Sequence, residues 1–133
     1  MIDRTNLESL INLALDQFKT AANNHAKKPE GTALSTSGGI NFGGHSYNDT
    51  ISSGGNALSA IQRHLDIFVK DDIQKKFEIA AIVIATPYDQ KTKLPQDPHE
   101  NTLNDLAEYI GTSDGQIVYV VSPNHDEIRT IKL

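Results

Sequence analysis

The stretch LPQDPHENTLNDL, residues 94–106, gathers Asp97, His99 and Glu100 around two prolines just ahead of a helical apolar pattern. An imidazole among carboxylates is the composition of an acid–base site, because a carboxylate orients a histidine and favours its charged form. The same side chains are oxygen and nitrogen ligands for a metal. A second stretch, SSGGNALSAI at 52–61, sets Ser52 and Ser53 before Gly54, Gly55 and Asn56. Serine followed by glycines serves as a nucleophile, as part of a nest of backbone N–H groups for an anion, or as the cap of a helix. The first stretch has a structural reading too. Asp97 suits an N-cap, Pro98 the first helical position and Glu100 the third, where an acid meets free N–H groups and the positive end of the helix dipole.

Spacing sets His99 apart. It lies four residues before Leu103 and so shares the stripe of Leu103, Leu106 and Ile110. An inward histidine is either a hydrogen-bonded space filler or a ligand contact, and the pattern leaves both open.

Composition narrows the chemistry further. The chain holds no cysteine, which excludes disulfides, thiolate nucleophiles and sulfur-ligated zinc. No two of His25, His45, His64, His99 and His125 stand three or four residues apart, so no local metal motif exists. A formal charge of −5, with both signs mixed along 133 residues, gives no footprint for nucleic acid or an anionic membrane. The longest apolar run, IAAIVIA at 79–85, falls far short of the ~20 residues a membrane helix needs. With no secretory pattern in MIDRTNLESL, the expectation is one soluble, cytoplasmic domain over residues 1–133.

The elements that must position these residues follow from periodicity. Leu7, Leu10, Ile11, Ala14, Leu15 and Phe18 recur at the 3.6-residue period of a helix, which Pro29 and Gly31 end. TALSTSGGINFGG reads as a hairpin with strands around Ala33 and Ile40, followed by a loop over 43–55. A second helix begins near Asn56, with Leu58, Ile61, Leu65 and Phe68 as its stripe. FEIAAIVIAT is apolar and β-branched throughout, the mark of a strand covered on both faces. Tyr88 and Asp89, just beyond it, lie where open α/β sheets place ligands. A third helix over 98–110, stopped by Gly111, and the strands QIVYVVS and EIRTIKL complete the order α-β-β-α-β-α-β-β. Helices alternating with a buried sheet predict an α/β fold of three layers, α/β/α.

This order, with unusual sequence at two helix starts, resembles the small homotetrameric cytidine deaminases of pyrimidine salvage. Their zinc site is built from the motifs C-A-E-R-x-A-I and P-C-G-x-C-R-Q-x-L-x-E-F. Aligned without a gap, the first motif falls on GNALSAI at 55–61, so Gly55 stands at the first thiolate and Ala57 at the catalytic glutamate, while Ala60 and Ile61 are retained. The second falls on PQDPHENTLNDL at 95–106, which keeps Pro95, Leu103 and an acid at Asp105 but sets Gln96 and His99 where thiolates belong. GTALSTSGGI is similar to the family's G-A-A-L-x-T-x-D-G-x-I hairpin. The ribose-contacting N-x-E segment of the family falls in FGGHSYNDT, where His45, Tyr47 and Asn48 are candidates by place.

The resemblance implies a cytidine-deaminase-like fold with a mixed five-stranded sheet, and a homo-oligomer, dimer or tetramer. In that family zinc lowers the pKa of a bound water and the glutamate carries the proton during attack on the base. Gly55, Ala57 and Gln96 supply neither the ligands nor the acid, so no metal, no cofactor and no deamination by that route are expected. The leading reading is a pseudoenzyme acting by assembly or by binding a small polar ligand, nucleoside-like or anionic. The candidate contacts are His99, Asp97, Glu100, His45, Tyr47, Asn48, Ser53, Gly54 and Asn56, with two helix N-termini offering unpaired N–H groups to one pocket. Two alternatives stand beside it: a remodelled zinc-independent hydrolase with His99 as base and Asp97 or Glu100 in support, and a regulatory or structural subunit of an active deaminase.

Overall fold

A computed structural model describes residues 4–24, 28–36, 39–46, 52–68, 79–110 and 116–133. Helix α1 (Arg4–Asn23) leads into the hairpin β1 (Gly31–Thr36) and β2 (Asn41–His45), then α2 (Ser53–Phe68) and the central strand β3 (Ile79–Ala85). A short ribbon, β4 (Tyr88–Asp89) with β5 (Leu94–Pro95), precedes α3 (Glu100–Ile110), β6 (Ile117–Val121) and β7 (Arg129–Lys132). The main sheet has five strands in the order β2-β1-β3-β6-β7. Only β3 and β6 run parallel, as the crossover through α3 requires, so the sheet is mixed as expected.

Strand alternation divides the interior into two layers. Ala33, Ala81, Val83, Ala85 and Val121 face α1, where they meet Leu10 and Ala14. Leu34, Ile82, Ile84, Val118 and Val120 face the other way and meet Ala57 and Ile61 of α2 and Leu106 of α3. The α1 side is rich in alanine and admits a helix close to the sheet; the α2/α3 side carries the larger branched residues. Each fully buried Leu, Ile or Val contributes on the order of 1.5–3 kcal/mol, so these two clusters hold the layers together. No helix of the described residues is long and apolar enough to cross a membrane.

Four boundaries differ from the sequence reading. Gly43, Gly44 and His45, read as loop, belong to β2. A Cβ on Gly44 would lie 2.3 Å from the backbone nitrogen of Ala57, so the glycine marks a close approach of strand to helix and not a turn. Helix α2 begins at Ser53, ahead of the expected Asn56, because Ser52 caps it. Helix α3 begins at Glu100, after the expected Pro98. The ribbon was not foreseen: its turn, DQKTK, lacks the glycine or asparagine that announces a hairpin, and Lys93 takes the left-handed conformation instead, at φ 58°. In the β1–β2 turn, Gly39 supplies a positive φ of 84° and donates its N–H to the Thr36 carbonyl at 3.0 Å, while residues 37–38 lie outside the described residues, as does the stop expected at Gly111.

Gly44→Ala should therefore lower stability by about 1–3 kcal/mol, the usual cost of overpacking, since the obstructing atoms are backbone. Gly43→Ala is the control, because its Cβ would meet only the side chains of Gln17 and Leu13, the nearest at 3.1 Å. Urea unfolding of both variants checks the contrast, and equal midpoints would contradict it.

Candidate functional site

Both helix starts that carry the motifs are closed by specific hydrogen bonds. At α2, the Ser52 hydroxyl accepts the Gly55 N–H at 2.8 Å and the Ser52 carbonyl accepts the Asn56 N–H at 3.0 Å, the geometry of an N-cap. The same hydroxyl donates to Asp105 Oδ2 of α3 at 2.5 Å, tying the two helices together. A Cβ on Gly55 would lie 3.0 Å from both Ser52 Oγ and Asp105 Oδ2, and one on Gly54 would lie 3.0 Å from Thr102 Cγ2. Small residues at 54 and 55 let the helices approach this closely.

At α3, the Leu103 N–H reaches the His99 carbonyl at 3.1 Å, which makes His99 the capping residue in place of Asp97. Asp97 instead pairs with Arg129 on β7, whose guanidinium also donates to the Pro95 carbonyl at 3.4 Å. The expectation of Asp97 as N-cap is thus corrected: two residues separate it from the helix, and a cation lies within its reach. Glu100 opens α3 and is exposed, facing the helix dipole as an acid in the first turn should.

The residue that organises the site is Glu30, just before β1. Its side chain is 1 % exposed. Oε1 accepts hydrogen bonds from the hydroxyls of Ser53 and Thr102, and Oε2 accepts the backbone N–H of His99 at 2.8 Å. Since Ser53 gives its proton to Glu30, Thr32 must be the donor in the 2.7 Å contact between Thr32 and Ser53. Three donors thus converge on this one carboxylate, whose two oxygens accept all of them. Capping boxes place a glutamate at the third helical position to accept the N–H of the cap residue. Here Thr102 occupies that position and Glu30 performs the task from another segment. The expected free N–H groups are accordingly corrected at two points: that of His99 belongs to Glu30 and that of Gly55 to Ser52.

Around Glu30 opens a cleft of about 380 Å³, with Lys28, Thr86, Gln96 and His99 among its walls. His99 is half-buried, and its Nε2 lies 3.2 Å from the Lys28 carbonyl. A carbonyl only accepts, so this nitrogen carries the proton. The cleft floor is held by Thr86, whose hydroxyl donates to the Gln96 carbonyl at 2.8 Å and whose carbonyl accepts the Ser122 hydroxyl at 2.8 Å. His99, Asp97, Glu100 and Gln96 thus all line one cleft. Ser53 is adjacent but fully buried, engaged with Glu30. Gly54, Gly55 and Asn56 lie on the first turn of α2, and Asn56 Nδ2 donates to the His45 carbonyl at 2.6 Å. His45 sits on β2 with Nδ1 3.0 Å from the Ser46 carbonyl. Ala57 is fully buried in the α2/α3 core, and Tyr47 and Asn48 lie outside the described residues.

These residues do not fit a zinc ion. Gly55 has no donor, Gln96 is a neutral amide, and His99 Nε2 is turned to a carbonyl. Among the described residues no group of three His, Cys, Asp or Glu side chains stands close enough to hold a metal. Ligand candidates Tyr88 and Asp89 belong to the ribbon, where Tyr88 stacks on His125 with ring centroids 3.5 Å apart. The Tyr88 phenol is pushed above its ordinary value of 10.0, by desolvation first and then by the carboxylates of Glu127 and Asp89.

Sequence reasoning passed over Glu30, Thr32 and Thr102. The available signal was position: an acid directly before a strand of small and apolar residues must either leave the sheet or be buried with partners. No protein-family model and no curated protein matches the sequence. Among solved structures, a cytidine deaminase from Burkholderia pseudomallei superposes with a TM-score of 0.63 at 20% identity, covering 94% of this chain and 91% of that one. A cytidine deaminase from Mycobacterium leprae gives a TM-score of 0.58 at 14% identity, covering 94% and 92%. The chain has the cytidine-deaminase-like fold, a mixed sheet between helical layers.

Three measurements test these assignments. Ser52→Ala removes a cap and a charge-assisted bond and should cost about 1–2 kcal/mol. Asp97→Ala breaks an ion pair whose acid is 75% exposed and should cost less than about 1 kcal/mol by chemical denaturation. For Tyr88, the folded state favours the neutral phenol, so its contribution to stability is present below pH 10.0 and is lost as pH rises beyond it. An absorbance titration of the wild type against Tyr88→Phe should show one phenol ionising above the ordinary range, and a titration at or below 10.0 would contradict the assignment.

Proposed function

We propose that this chain is a catalytically silent relative of the cytidine deaminases that binds a small, polar, nucleoside-like molecule in the cleft beside His99. One observation carries the reading: between the helix starts where the family assembles its zinc site, this chain sets the buried carboxylate of Glu30, and the cleft next to it remains open. A volume of about 380 Å³ lies within the ~300–1,000 Å³ typical of small-molecule sites. Between the nucleoside-like and anionic ligands suggested by sequence, the former is favoured. The His99 N–H is already spent on Glu30, and Asp97 and Glu100 add negative charge to the rim.

The hydrolase alternative is weakened by the same contacts. His99 Nε2 faces a carbonyl, and Asp97, its supposed support, pairs with Arg129. Assembly into a dimer or tetramer remains part of the proposal. Ile40, Leu94, Ile117 and Ile128 are exposed apolar residues that such contacts would cover.

Purified protein should contain far less than one zinc per chain by elemental analysis and should release no ammonia from cytidine above background. In ligand-detected NMR, cytidine or uridine should bind the wild type and bind His99→Ala at least about tenfold more weakly, a loss of ~1.4 kcal/mol. Stoichiometric zinc, measurable deamination, or equal binding by the variant would each overturn the reading.

A further inference from the structure

The carboxylate of Glu30 is held as a bound ligand is held. Its three donors come from parts of the chain 23, 69 and 72 residues away, and none of them is part of its own strand. The hydroxyls of Ser53 and Thr102 are on residues with no exposure to solvent, so they have no water to turn to and both aim at one carboxylate oxygen. The His99 N–H meets the other oxygen, and Thr32, equally buried, supports Ser53 from behind. Preorganised donors converging on the carboxylate of a residue only 1 % exposed are the parts of a carboxylate receptor.

We infer that Ser53, Thr102 and the His99 N–H form a carboxylate-binding site in their own right, kept filled by Glu30 as a tethered ligand. Held in place by the fold, Glu30 meets its donors intramolecularly, at an effective concentration that free carboxylates at millimolar levels do not match. Glu30 also lines the cleft, so its presence keeps small carboxylates such as formate and acetate from the deepest part of that cleft. This inference rests on the contacts of Glu30 alone and holds whether or not a nucleoside binds beside it.

Glu30→Ala removes the tethered ligand and leaves its three donors facing a cavity. In sodium chloride the variant should melt at least about 5 °C below the wild type. Replacing chloride by formate or acetate at equal ionic strength should raise its midpoint with the logarithm of concentration, as binding to the folded state requires, and leave the wild type unmoved. Glu30→Gln keeps the volume filled, so it should be destabilised without being rescued. Formate with no more effect than chloride on Glu30→Ala, or equal gains by the wild type or by Glu30→Gln, would overturn the inference. If Glu30→Ala does not fold in chloride, refolding from urea is followed by circular dichroism in formate and in chloride. Recovery of the native spectrum in formate alone supports the site, and recovery in neither counts against it.

Discussion

The carboxylate of Glu30 joins the foot of β1 to the starts of α2 and α3, and the geometry of the site descends from that junction. A carboxylate taken out of water costs several kcal/mol unless its lone pairs are met by donors. The chain meets this demand by fixing three segments at once. Ser53 must lie on the first turn of α2, Thr102 on the first turn of α3, and the N–H of His99 must stay outside the helix and point at Glu30. The His99 ring is turned towards Lys28 and onto the wall of the cleft.

The position of the cleft is set by the sheet. β3 and β6 are parallel and end together at Ala85 and Val121, while β1 runs the other way and starts opposite that end, with Gly31 paired to Ala85. Open sheets leave their crevice beyond the carboxyl ends of parallel strands, and Thr86, bonded to Gln96 and Ser122, lines it here. Glycines at 31, 44 and 54 bring the layers near enough for short hydroxyl side chains to reach across. A Cβ on Gly31 would lie 2.3 Å from the Ala14 carbonyl oxygen.

The chain shares the fold of the two deaminase structures, a mixed sheet between helical layers. Within that fold Asp105 holds the Ser52 cap of α2. Ala57 is a core residue. The carboxylate between the helix starts comes from Glu30 at the foot of β1 and is met by three donors. The resulting centre is a closed polar knot beside an open cleft, which differs in kind from an open metal site.

Periodicity in the sequence was enough to determine the layers. The stripe from Leu7 to Phe18 and the continuous apolar run of β3 each specify an element and how it is buried, because a helix repeats at 3.6 residues and a strand covered on both faces is apolar throughout. The capping role of Ser52 and the meeting of Gln96, Asp97, His99 and Glu100 at one place were also legible, since they depend on neighbours in the chain. Glu30 was not. Its partners lie across the fold, and a carboxylate's burial, unlike a helical stripe, leaves no local period to read. Tertiary structure alone decided that Gly44 is a contact and not a turn, that Asp97 serves Arg129 and not the helix, and that the space between two helix starts is filled by Glu30. The physical reason is the same in each case: local sequence sets backbone preference, whereas the partner of a buried polar group is set by which segments the packed sheet brings within hydrogen-bonding distance.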